Sequence, residues 1–406
     1  MKSKALWMIS GNGGYAAFQL LNMVVISKTL GVEELGVFSL GLALSAPIML
    51  FSNFGTRILW ITGVNHGMSF RLFRNARIIS SLAGLLICLV FLAIYTQMSA
   101  HLPIMSLIAM SKVIENNADI YYADFHKTSN QKLVCTSLLV RGLFGVTGVI
   151  IGCVIFDSLL VAALLYFLTW GTAHLLTEHI LTRTAVNMGS DQNTLSKKQW
   201  IWLAKQGTPL AISMFLVNFN MNIPRVILEN QHGLAAIGIF SALYFFIQTG
   251  TVVVNSIGQV VLPILSSMFD KGETKKHLFI TLKTFGVIFA FSLSGAVFSY
   301  FFGKYFLNLL FSKEISSYSS LLCLFFLLSP AQYLITIMSQ VIASTKNNIS
   351  LMWCQLVMLV TVLILSFVFI PSNGIKGTYW ATAIASGIVF LIYIFSYLRA
   401  IKIGNE

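Results

Sequence analysis

Six polar side chains, Lys112, Glu115, Asn116, Asp119, Tyr122 and His126, share one helical face of the segment from Leu102 to Phe125 and its flank. That segment is otherwise apolar and long enough to cross a bilayer, where a charge is costly unless it is paired or faces water. The stripe is therefore expected to line a polar cavity. Glu115 and Asp119 are candidates for binding a coupling ion, because a carboxylate in a low dielectric holds protons more strongly unless a cation offsets it. Lys112 is such a cation, and salt bridging to Lys112 or Arg141 is the structural alternative.

Other apolar segments carry comparable groups. Asn218, Asn222, Arg225 and Glu229 fall on one face, with Pro224 directly before the arginine. A guanidinium beside a kink suits an anion, since it can hold a phosphate in two places and stays charged; snorkelling or pairing with Glu229 is the alternative. Arg141 has no acidic residue one turn away and needs a partner on another helix or a bound anion. Arg57 follows Asn53 and Gly55 near the end of its segment. Ser241, Tyr244, Gln248, Thr251 and Asn255 recur at intervals of three or four, as do Asn12, Tyr15, Gln19 and Asn22. Such amides and hydroxyls suit sugar hydroxyls, or else join helices to one another. The expected binding set is Arg57, Lys112, Arg141, Asn218, Asn222, Arg225 and Gln248, with Glu115 and Asp119 for ion coupling.

Enzymatic motifs are missing from the sequence. There is no phosphate-binding GK[ST] loop, no nucleophile elbow and no HExxH, and the polar loops are too short for an ATPase domain. His174 is a lone histidine, usually a structural one. The five cysteines sit in apolar segments without metal-ligand spacing and read as small buried hydrophobes. No catalytic residue, metal or cofactor is expected.

The elements that must position these groups are membrane helices. Of 406 residues, 57% are hydrophobic and only 10% charged, with a mean hydropathy of +0.82. No soluble domain hides that much apolar surface. Runs of about 20 apolar residues occur at Leu6–Ser27, Gly36–Ile61, Ile78–Tyr95, Leu102–Phe125, Leu133–Ile155 and Leu159–Ile180. Six more follow, at Leu203–Leu228, Ala236–Ile264, Leu278–Phe302, Leu321–Ile342, Ile349–Ile370 and Tyr379–Tyr397. The first run is too long, and lacks the cleavage site, of a signal peptide. The fold class is thus all-α polytopic membrane protein, with twelve transmembrane helices.

An even number of spans puts both termini on one side. Loops on that side hold eighteen of the 26 basic residues, Arg71, Arg74 and Arg77 among them, while the opposite loops hold only Lys28, Lys304, Lys313 and Lys376. The bias makes both termini cytoplasmic. The charge of +13 is thereby a matter of topology, and no nucleic acid partner is expected.

The longest polar stretch divides the spans into an N-terminal half, 1–182, a cytoplasmic linker, 183–200, and a C-terminal half, 201–406. Gly31, Val32, Glu33, Glu34, Leu35, Gly36, Val37, Phe38 and Ser39 recur as Gly233, Leu234, Ala235, Ala236, Ile237, Gly238, Ile239, Phe240 and Ser241. Both copies lie between the first and second spans of a half. Two six-helix parallel repeats around a central cavity are the expected architecture.

With the stretch from Leu30 to Ser39, Gly207 and Pro209 opening the second half, and Gly374 and Gly377 before Ala381 and Thr382, the whole chain resembles the polysaccharide flippases of the multidrug/oligosaccharidyl-lipid/polysaccharide (MOP) exporter superfamily, especially the Wzx O-antigen flippases. The resemblance implies a bacterial inner-membrane transporter of lipopolysaccharide and polysaccharide biosynthesis, not an enzyme. Its substrate would be an undecaprenyl-pyrophosphate-linked oligosaccharide, moved from the cytoplasmic to the periplasmic leaflet by alternating access. Membrane lipid, a polysaccharide polymerase and a chain-length regulator are the implied partners. Two rivals remain: a cation-coupled multidrug exporter, which favours acids over three intramembrane arginines, and a membrane-embedded glycan ligase or polymerase, which needs a larger outward loop than the one from Gly303 to Ser319.

Overall fold

A computed structural model describes residues 2–62, 68–97, 99–180, 196–345 and 348–403, and every regular element among them is helical. These are α1 (Lys2–Thr29), α2 (Val32–Ser52), α3 (Thr56–Ile61), α4 (Phe70–Tyr95), α5 (Leu102–Lys127), α6 (Gln131–Ile150) and α7 (Leu159–His174). They are followed by α8 (Lys197–Asp270), α9 (Thr274–Leu310), α10 (Lys313–Ser316), α11 (Ser319–Ser344) and α12 (Asn348–Ile403). Single π-helical turns extend α6 over Ile151–Ile155 and α7 over Leu175–Ile180. Most of the expected linker, 183–195, lies outside the described residues.

Eight of these helices are long and apolar enough to cross a membrane. Straight, the 74 residues of α8 would span about 110 Å at about 1.5 Å per residue, against a hydrocarbon core of about 30 Å. The chain resolves this with a break at Gly233, and α12 breaks likewise at Gly374. Large apolar side chains stand out to the surroundings along α4, α9 and α12, including Leu86, Ile94, Phe289, Leu293, Phe367 and Leu391. Lipid is the solvent that suits them. The chain is a multi-pass membrane protein.

The two copies of the repeated segment share a backbone. Gly31 has φ 98° and ψ 180°, and Gly233 has φ 79° and ψ −178°. Only glycine adopts this conformation readily. A Cβ at either position would meet nothing within 4 Å, so the requirement is one of conformation and not of space.

Two departures from the sequence reading concern α2 and α4. The expected second span ends early, because Phe54 and Gly55 take left-handed conformations and turn the chain into α3, which carries Arg57. Arg77, counted among loop cations, lies inside α4 and is fully buried. The helix starts at Phe70, two turns before the apolar run does, because Phe70, Leu72 and Phe73 are core residues.

By its internal contacts the chain comprises two compact units, 1–218 and 219–406. In the first, Trp60 packs on Phe70 and Phe73 at 5.5 Å and Phe70 on Tyr121 at 5.4 Å. The Trp60 indole N–H donates to Asp124 at 3.0 Å, and Lys127 sits 4.0 Å above its ring. Leu203 of α8 joins this core. In the second, Tyr379 stacks on Phe325 at 4.1 Å and donates to its carbonyl at 2.8 Å. His277, fully buried, places one ring nitrogen 2.6 Å from the Tyr397 hydroxyl and the other 3.0 Å from that of Ser344, joining α9, α11 and α12. His232 donates at 2.8 Å to the Ile370 carbonyl, beside the break at Gly374. The five cysteines are buried or half-buried.

Replacing Gly31 or Gly233 by alanine is expected to cost about 1–3 kcal/mol of backbone strain each. Thermal unfolding in detergent should show a lower midpoint for both variants. Gly13→Ala, in open space on α1, should leave it unchanged or raise it.

Candidate functional site

The polar stripe of α5 is joined to its neighbours within the first unit. Asp119 takes Arg57 of α3 on one carboxylate oxygen and Arg77 of α4 on the other, the latter at 2.7 Å. The remaining donors of Arg77 reach the Asn116 carbonyl at 3.0 Å, the Asn53 carbonyl at 3.1 Å and the Thr56 hydroxyl at 2.6 Å. Asn53 closes the C-terminal end of α2, where a cation also meets the negative pole of the helix. Asn116 donates to the Met49 carbonyl at 2.8 Å and to Ser52 at 3.2 Å. One buried guanidinium thus fixes the α2–α3 corner against α4 and α5.

Lys112 pairs with Glu115 at 2.6 Å, one turn apart, and both side chains keep some exposure. The Tyr15 side chain lies near Glu115 as well. Arg141 of α6 is 3% exposed. It lies 5.1 Å from the Trp170 ring, 5.2 Å from Tyr15 and 5.6 Å from Tyr122, within electrostatic reach of Glu115 and Glu178. Its Nε and one terminal nitrogen have no hydrogen-bond partner. Gly145, one turn on, lets α7 approach: a Cβ there would meet the Trp170 indole nitrogen at 2.5 Å.

The sequence reading did not single out Glu178. It is 1% exposed, in the π-helical turn after α7, and accepts from Ser137 and Thr177. His174 lies 3.2 Å away, and Ser137 in turn contacts the Tyr122 hydroxyl at 2.7 Å. The available signal was an acid inside an apolar run, masked by its nearness to the end of that run.

In the second unit Arg225 stands differently. It donates to Asn222 at 3.2 Å and lies 5.5 Å from the Tyr244 ring and 5.9 Å from Phe240. It makes no ion pair with Glu229 or with any other described carboxylate, and its Nε has no hydrogen-bond partner. The Tyr244 hydroxyl donates to Gln332 at 3.3 Å. Asn220, which the sequence reading passed over, is buried and donates to the Gln355 carbonyl at 3.3 Å. Gln248 is exposed and Asn218 half-buried. Among the described residues the intramembrane cations therefore fall into three sets: Arg57, Arg77 and Lys112 with paired carboxylates, Arg141 with acids nearby, and Arg225 with an amide and rings.

The described residues define a helical multi-pass membrane protein with charge buried among its helices. Residues 1–269 match the family model described as polysaccharide biosynthesis protein, and the chain belongs to that family. The capsular polysaccharide biosynthesis protein CapF of Staphylococcus aureus is 26% identical over 97% of this chain and 98% of its own length. Among solved structures, an inward-facing multidrug resistance MATE transporter of the MOP superfamily aligns with a TM-score of 0.79, at 13% identity, over 96% of this chain and 95% of its own. The lipid II flippase MurJ, in an inward closed conformation, aligns with a TM-score of 0.78, at 15% identity, over 99% and 91%. The fold is that of the MOP transporters.

Removing Arg77 leaves Asp119 and two carbonyls short of a buried partner, so Arg77→Ala should cost about 3–5 kcal/mol. Arg57→Ala, at the more exposed end of the same carboxylate, should cost about 1 kcal/mol or less. Urea or thermal unfolding of the purified variants should separate the two.

Proposed function

We propose that this protein moves a lipid-linked oligosaccharide across the plasma membrane. The cargo is an undecaprenyl pyrophosphate bearing one repeat unit of a capsular or O-antigen polysaccharide. It passes from the cytoplasmic to the outer leaflet by alternating access, and both termini are cytoplasmic. Family membership, the capsular relative and the fold shared with a lipid II flippase support the cargo class. The observation that carries the reading is Arg225, a guanidinium in a membrane helix with no carboxylate partner among the described residues and an unused donor.

Such a charge is compensated by an anion supplied from elsewhere, and a diphosphate matches its fork of donors. Tyr244, Gln332, Asn222 and Gln248 offer hydroxyl and amide groups for sugars. A multidrug exporter of organic cations would instead present acids, and Glu115 and Asp119 are both engaged by cations. A polymerase partner would act on the delivered repeat unit.

The test is leaflet transfer of purified undecaprenyl-pyrophosphate oligosaccharide in proteoliposomes. Arg225→Ala should lower transfer roughly 10- to 100-fold, the worth of about 1.5–3 kcal/mol for a hydrogen bond to a charged group, while Arg225→Lys retains part of it. Absence of transfer with any lipid-linked glycan, alongside efflux of organic cations, would overturn the proposal.

A further inference from the structure

We propose that the end of the first unit built on the Trp60 core binds anionic phospholipid. Helices α1, α4, α5, α6 and α8 meet there: Met8, Phe70, Tyr121, Leu133 and Leu203, one from each, pack in or against the same core. Four of the seven tryptophans, Trp7, Trp60, Trp200 and Trp202, gather at this end. Indole rings collect where hydrocarbon gives way to headgroups.

The depth of that boundary is written in the side chains. Leu6 and Ile9 of α1, Ile78 and Ile79 of α4 and Ile201 of α8 are exposed apolar residues, and they mark the edge of the hydrocarbon. Lys197 and Lys198 precede Ile201 by one turn, and Arg74 precedes Ile78 by one turn. A helical turn rises about 5.4 Å, so these charges stand at the level of lipid phosphates, within the reach of a snorkelling side chain.

The surface at this end has one sign. Lys127, Lys132, Lys197, Lys198 and Lys205 are exposed, with Arg71 and Arg74 half-buried beside them. Among the described residues of the unit the exposed acids are Glu33 and Asp157, and both lie at the other end, in the first turn of α2 and after α6. Asp124, an acid of this end, is buried and accepts from Trp60. Two of the lysines are held in place: Lys127 lies 4.0 Å above the Trp60 ring and Lys132 5.9 Å from that of Trp7. An ammonium over an indole still turns N–H donors away from the ring, here towards the headgroups, while acyl chains lie along Leu6, Ile9 and Ile201. A headgroup of net negative charge answers such a surface, whereas phosphatidylcholine brings a cation of its own.

Tryptophan fluorescence of the intact protein in phosphatidylcholine bilayers reads the contact, since a brominated lipid quenches the indoles it touches. Brominated phosphatidylglycerol should quench more strongly than brominated phosphatidylcholine at equal mole fraction. Lys127→Gln, Lys132→Gln, Lys197→Gln and Lys198→Gln should each lower that preference by up to about fivefold at low salt and together abolish it. Lys28→Gln, at the other end, should keep it, and thermal unfolding should show every variant folded. Equal quenching by the two lipids, or an undiminished preference in the fourfold variant, overturns the proposal. Relief of the quenching by inorganic phosphate would also overturn it, in favour of a site for free anions. Because no cargo is present, this outcome is independent of the transport assay.

Discussion

Every charge in a membrane helix must find its opposite or its solvent, and here that constraint is met first at Asp119. Its two oxygens take two arginines from two different helices, and the more buried of these, Arg77, closes off the carbonyls of α2 and α5. A carboxylate and a guanidinium are each expensive in hydrocarbon, and together they are tolerable only with every donor used. The α2–α3 corner, the start of α4 and the middle of α5 are consequently one construction. Every nitrogen of Arg77 has a partner there, while Arg57, on the more exposed side, meets Asp119 through one.

The two units answer the same constraint differently. The first compensates its cations internally, by ion pairs or by the aromatic box around Arg141. The second leaves Arg225 among amides and rings. Compensated charge ties helices into one body, and charge without an internal partner leaves donors unused. Sequence reading put Lys112, Arg57, Arg141 and Arg225 in one binding set because all four are cations within apolar runs, and it is the partner that distinguishes them.

What was legible follows from range. Apolar runs are local, so the helical architecture could be read directly, and the repeated segment could be read because its two glycines must take the same corner. The α2–α3 break was not legible, since Phe54 in a left-handed conformation is a tertiary outcome: Arg77, from another helix, holds the Asn53 carbonyl at that corner. Arg77 was placed in a loop because it stands where a positive-inside count expects cations. Its acid lies 42 residues away, a pairing that no periodicity announces. Glu178 was hidden for the opposite reason, one acid being too little to lower the hydropathy of its run.

The glycine corners also bear on how the chain enters a membrane. Leu30 and Gly31 alone separate α1 from α2, and at Gly233 and Gly374 a single residue leaves the helical conformation. There is no polar loop at these points to be carried through the bilayer after the first helix. Each helix pair is in effect a hairpin that can leave the insertion machinery together, its turn already closed by backbone geometry. Such turns present almost no extended chain, and so offer very little to a protease or an antibody.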